Sequence, residues 1–151
     1  SVIGKILALG RAMLDFPIET LPEVHETLAA LAGRYRIILI TKGDLFDQER
    51  KLAQSGLGDF FDAVEIVSDK TPSVYGRIFS RHADGPSRAM MVGNSLKSDV
   101  IPALEAGAWG VHVPHELMWE LDRAEAPENH PRFRTVATLG EIPDLIRSFK
   151  G

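Results

Sequence analysis

Ile37-Ile38-Leu39-Ile40-Thr41-Lys42-Gly43-Asp44 is the stretch that decides the fold class. Side chains of a strand alternate between its two faces, so an unbroken run of β-branched residues and leucine is what a strand buried on both faces requires. The run stops at a hydroxyl, a cation and a glycine. Two further segments have the same form. Ala63 to Val67 leads into Ser68-Asp69-Lys70-Thr71-Pro72, and Ala89-Met90-Met91-Val92 leads into Gly93-Asn94-Ser95-Leu96-Lys97-Ser98-Asp99. A fourth strand is expected over Trp109 to Val113 and a short last one over Val136 to Leu139.

Helical periods lie between these runs. One helix is expected to start at Leu21-Pro22, with Thr20 as cap, and to run through Val24, Leu28 and Leu31 to Gly33. Others are expected from Phe46 to Ser55, from Thr71-Pro72 to His82, in a short piece ending at Gly107, from Glu116 to Arg123 and from Ile142 to Phe149. Residues 126–134 hold two prolines and read as irregular. At the start of the chain, Val2 to Leu14 places apolar residues at helical spacing, and Pro17 ends that segment. Strands alternating with helices predict an α/β fold, a Rossmann-like parallel sheet flanked by helices on both faces. In such sheets ligands bind at the carboxyl ends of the strands.

The composition narrows the function. A chain of 151 residues, 44% apolar and 25% charged, is an ordinary globular domain. The net charge of −4 gives no footprint for nucleic acid or anionic lipid. Any anionic substrate must therefore be met by individually placed lysines. No apolar run approaches the roughly 20 residues that span a bilayer. Cysteine is absent, which removes disulfides and thiolate metal sites and fits a reducing cytoplasm. The histidines fall in no metal-ligand spacing, and no Walker loop, dinucleotide fingerprint or nucleophile elbow is present.

The strand ends carry the candidate chemistry. Thr41, with the backbone amides of Lys42 and Gly43, can cradle a phosphate, the glycine permitting close approach. Taken alone, Thr41 reads more readily as the cap of the following helix. Lys70 stands just before a helix N-terminus, where the helix dipole disfavours a cation unless an anion lies beside it. Asn94, Ser95 and Asp99 supply the oxygen ligands that a hard cation such as magnesium accepts together with water and phosphate. Alone, Asn94 reads as a turn residue and Asp99 as a cap. Together the three clusters supply a hydroxyl, a cation and a metal ligand to one edge of one sheet.

The order of Thr41, Lys70 before Thr71-Pro72, and Gly93 to Asp99 resembles the second, third and fourth motifs of the haloacid dehalogenase superfamily. Ile18 to Val24 resembles the re-entry from a cap domain into the core. Ala103-Leu104-Glu105-Ala106-Gly107-Ala108-Trp109-Gly110 resembles the helix–glycine–strand passage after the fourth motif. The resemblance implies a magnesium-dependent phosphohydrolase of small phosphate esters that works through an aspartyl-phosphate. Thr41 and Lys70 are its implied catalytic residues, Lys42, Gly43, Asn94 and Ser95 touch substrate, and Asp99 with Asn94 holds Mg2+. The implied partner is a small phosphorylated metabolite, without nucleic acid or membrane.

Two features depart from the family pattern. An Asp-x-Asp pair after an opening strand is not in the sequence, and Asp15 and Asp84 stand in other contexts. By the pattern, that strand and its nucleophile precede Ser1. Residues 1–16 are then the last helix of an α-helical cap, and residues 17–151 a core lacking its first strand. A missing N-terminal segment or another chain would pair into the gap. Asn94 also stands where aspartate is common. These departures leave two alternatives open, a non-catalytic binding domain of this fold and a metal-free 2-haloacid dehalogenase.

Overall fold

The structure is a computed structural model that describes residues 6–10, 21–32, 34–42, 46–47, 49–50, 53, 60–82, 88–93, 95–113, 127 and 129–148. In chain order the elements are β1 (Ile6–Gly10), α1 (Leu21–Ala32), β2 (Arg36–Thr41), β3 (Ala63–Ile66), α2 (Pro72–His82) and β4 (Ala89–Gly93). A π-helical turn (Leu96–Val100), α3 (Ile101–Glu105), β5 (Trp109–His112), β6 (Phe133–Thr135) and α4 (Ile142–Arg147) complete the order, with a 3-10 turn at Leu139–Glu141 before α4.

The six strands among the described residues pair in parallel, in the order β3-β2-β1-β4-β5-β6. This is the doubly wound order, and its connections reverse direction between β1 and β4, the position whose carboxyl ends bind ligands in sheets of this kind. Alternation along the central strands sorts the core into two layers. Ile37, Leu39, Met90 and Val92 pack with Leu28 and Leu31 of α1 and Ile142 and Ile146 of α4. Ile38, Ile40, Ala89 and Met91 pack on the other face with Tyr75, Ile78 and Phe79 of α2 and Ala103 of α3. Both faces of β2 and β4 are buried, as their apolar runs require.

The first departure from the sequence reading is at the start of the chain. Ile6–Gly10 is a strand, not part of a helix over Val2 to Leu14, and it fills the centre of the sheet. Ile6-Leu7-Ala8-Leu9-Gly10 is a short apolar run whose period fits either element. The tertiary setting decides, because an extended segment between β2 and β4 satisfies the backbone groups on both neighbouring edges. The sheet therefore has no gap at its centre, and residues 6–10 belong to the core rather than to a cap helix.

The second departure is at the other end. The last strand is Phe133–Thr135, earlier than Val136 to Leu139, and Leu139 begins the 3-10 turn. Arg132 and Arg134 disguise it. Arg132 donates to the carbonyls of Ala108 and Leu104, and Arg134 lies 5.3 Å from the ring centre of Trp109. The helices expected over Phe46 to Ser55 and Glu116 to Arg123 lie largely or wholly outside the described residues. No helix among the described residues is long and apolar enough to cross a membrane.

Candidate active site at the carboxyl edge of the sheet

β4 ends at Gly93, and the chain turns at once into the π-helical turn. Ser95 caps that turn in an extended conformation, its Oγ accepting from Ser98 N at 3.1 Å. The amides of Asp99 and Val100 both donate to the Ser95 carbonyl, at 3.0 and 3.2 Å. Widened turns of this kind occur mostly at functional sites. Here the effect is to carry Asp99 back over the end of β4, where it is 2% exposed. Its carboxylate lies so close to Gly93 that a Cβ there would meet Asp99 Oδ2 at 2.4 Å. Glycine is required by this close approach.

Lys70 reaches the same carboxylate from the segment between β3 and α2. Its Nζ donates to Asp99 Oδ1 at 2.7 Å, with the two side chains only 12% and 3% exposed. The second oxygen, Oδ2, accepts a longer hydrogen bond from Ser95 N at 3.3 Å. Asp99 is thus the anion that Lys70 needs at the start of a helix. The pair joins two loops that are 29 residues apart in sequence.

Thr41 ends β2 in register with Ile66 of β3, is 2% exposed, and accepts at its carbonyl from Val67 N at 2.9 Å. It stands on the same edge of the sheet as Lys70 and Asp99. Lys42 is exposed, and Gly43 and Asn94 lie outside the described residues. Lys70, Ser95 and Asp99 are therefore brought into direct contact, and Thr41 is brought to the same edge.

Tyr75 belongs to this arrangement and was not singled out from the sequence. It is fully buried in α2, stacks on Phe79, and donates its hydroxyl to the Ser98 carbonyl at 2.8 Å. Burial, with the Asp99 carboxylate adding to it, pushes the phenol well above its ordinary pKa, so the hydroxyl remains a donor. In the sequence it reads as one apolar position of an amphipathic helix. The only available signal was a tyrosine where the core would accept a phenylalanine.

Asp99 suits a hard cation on the evidence of its own contacts. Oδ1 is held by Lys70, while Oδ2 has one long hydrogen bond and capacity to spare. Magnesium commonly takes one or two carboxylates and completes its shell with water and phosphate. No cluster of three or more acidic or histidine ligands occurs among the described residues.

The domain is therefore a doubly wound α/β fold with a buried lysine–aspartate pair at the carboxyl edge of its sheet. The chain belongs to the haloacid dehalogenase-like hydrolases, whose family model matches residues 6–107. Among curated proteins it is 29% identical to a glyceraldehyde 3-phosphate phosphatase of Methanothermobacter thermautotrophicus, covering 83% of this chain and 58% of that protein. It is also 29% identical to a pyrimidine 5'-nucleotidase of Escherichia coli, covering 83% of this chain and 56% of that protein. Among solved structures it resembles a haloacid dehalogenase-like family hydrolase from Xanthomonas campestris, with TM-score 0.71 and 42% identity. That match covers 91% of this chain and 58% of the other. The chain thus spans somewhat more than half the length of these relatives.

Proposed function

We propose that the chain is the core of a magnesium-dependent phosphohydrolase of small phosphate esters. The observation that carries the reading is the buried Lys70–Asp99 pair at the carboxyl edge of the sheet. The two curated relatives named above, both enzymes that remove phosphate from small molecules, support the substrate class.

In this reading Thr41 donates its hydroxyl to a phosphoryl oxygen, and the Lys70 ammonium offsets negative charge on the phosphate. Lys42, Gly43 and Ser95 contact the substrate, with Asn94 beside them. Asp99, with Asn94, holds Mg2+, which when bound offsets charge on the phosphoryl oxygens. The nucleophile in this reading is an aspartate carboxylate from outside the described residues, brought to the edge where Gly10 and Gly93 end their strands. Its oxygen attacks phosphorus, the ester P–O bond breaks, and the alkoxide leaves with a proton from a neighbouring acid. Water then attacks the aspartyl-phosphate and releases inorganic phosphate, regenerating the carboxylate. The enzyme acts in the cytoplasm on a phosphorylated metabolite.

The test is phosphate release by the full-length protein, against a panel of sugar phosphates, nucleoside monophosphates and triose phosphates. Release that requires magnesium and stops with chelator supports the reading. A folded protein that releases no phosphate from any of them contradicts it. Chelator-insensitive chloride release from 2-chloropropionate would instead assign a dehalogenase.

A further inference from the structure

Beyond hydrolysis, the geometry points to a second binding site on the other side of the wall that holds Lys70. A groove of about 440 Å3 runs between β3 with its following loop and one face of α2. That volume falls within the range of small-molecule sites, roughly 300–1,000 Å3. Asp69 and Thr71 line it, whereas Lys70 between them turns away to Asp99. The segment from Ser68 to Thr71 therefore has the groove on one side and the candidate active site on the other.

The charges of the groove identify its ligand. Glu65 is already satisfied: Arg81 Nη1 donates to both its oxygens at 2.9 and 2.8 Å, and His82 Nε2 lies 2.5 Å from Oε2. Arg77 and Asp69 remain, both exposed, and neither has an ion-pair or hydrogen-bond partner among the described residues. Ile66, 41% exposed, and the half-buried Val74 supply the apolar part of the lining. Thr71, immediately before α2, and Arg77 within it stand about 9 Å apart along the helix axis at 1.5 Å per residue. A free guanidinium, an apolar lining and a free carboxylate match an elongated organic acid. Its carboxylate pairs with Arg77 in a fork-to-fork contact, its alkyl body lies on Ile66 and Val74, and an amino group pairs with Asp69. Such a ligand would hold the segment that presents Lys70 from behind.

This inference does not depend on hydrolytic activity, and its test uses three probes of one length: 6-aminohexanoate, hexanoate and hexylamine. Each is titrated into the 15N-labelled protein and followed by amide chemical shifts. The expected result is saturable movement of the Ser68, Asp69, Val74, Arg77 and Ile78 signals, tightest with 6-aminohexanoate, and a smaller movement at Lys70. Arg77→Gln and Asp69→Asn, both at exposed positions, should each weaken 6-aminohexanoate at least about tenfold. Hexanoate should lose affinity in Arg77→Gln but not in Asp69→Asn. No saturable movement of the groove signals at tens of millimolar probe overturns the inference. So do equal binding of the three probes and unchanged binding in both variants.

Discussion

Lys70 Nζ and Asp99 Oδ1 lie 2.7 Å apart, almost wholly out of solvent, and each comes from a loop that follows a different strand of the sheet. Two parallel strands, β3 and β4, are separated in the sheet by β2 and β1, yet their carboxyl ends are tied by this one contact. The pair fixes the two loops relative to each other and concentrates charge at the edge where the strand order reverses.

Removing one partner should cost far more than removing both. Lys70→Met strands the Asp99 carboxylate in a buried position, a change of about 3–5 kcal/mol in general experience. Asp99→Asn strands the ammonium similarly. In a double-mutant cycle by urea denaturation, the double variant should be more stable than the sum of the single losses implies. Additive losses would mean that the two groups do not interact.

Gly93→Ala should abolish function while leaving a folded protein. The added methyl would stand 2.4 Å from Asp99 Oδ2, so the carboxylate must move off the end of β4. Gly110→Ala is the comparison. Its methyl would meet Val100 Cγ1 at 2.9 Å and Leu104 side-chain carbons at 3.0 and 3.1 Å, a purely apolar crowding on β5. Overpacking of that kind costs about 1–3 kcal/mol. Thermal denaturation should register Gly110→Ala, and magnesium-dependent phosphate release by the full-length protein should register Gly93→Ala.

Tyr75→Phe keeps the stack on Phe79 and deletes the hydroxyl that the Ser98 carbonyl accepts. The uncompensated acceptor should lower stability by about 1–2 kcal/mol. Amide hydrogen exchange should quicken in the π-helical turn, Leu96–Val100, more than in α2. Uniform acceleration through both elements would contradict this assignment.

Glu65 gives the pH dependence a sign. Burial alone would raise its pKa, but hydrogen bonds from His82 and Arg81, and then their charges, outweigh it and hold the carboxyl below its ordinary value of 4.5. The stability gained from a depressed carboxyl is present above the unfolded value and disappears as pH falls through the folded one. Wild type should therefore exceed Glu65→Gln in urea midpoint near neutrality, and the difference should vanish in acid below that ordinary value. A difference unchanged between neutral and strongly acid pH would exclude the carboxylate as its source.

Much of the architecture was legible where a single rule sufficed. The β-branched run of β2 favours a strand buried on both faces over a helix, and Thr71-Pro72 marks the start of α2. Ile6–Gly10 could not be read because a five-residue apolar segment obeys two periodicities, and only its sheet neighbours choose between them. Phe133–Thr135 was hidden by arginines whose partners, an aromatic ring and the carbonyls at the end of α3, are distant in sequence.

The site divided in the same way. Strand-end position placed Thr41, Lys70 and Asp99 on one edge, and the disfavoured lysine before a helix correctly announced an anionic partner. The identity of that partner, and the hydroxyl of Tyr75 beneath its loop, depend on packing between α2 and the π-helical turn. No local pattern records that packing.

The most direct measurement is a crystal structure of the full-length protein, grown with magnesium and orthovanadate. The expected result is one vanadate at the carboxyl edge, within hydrogen-bond distance of the Thr41 hydroxyl and the Lys70 ammonium, with magnesium on Asp99. Vanadate bound elsewhere, or Thr41 and Lys70 each turned from a shared anion, would contradict the central claim.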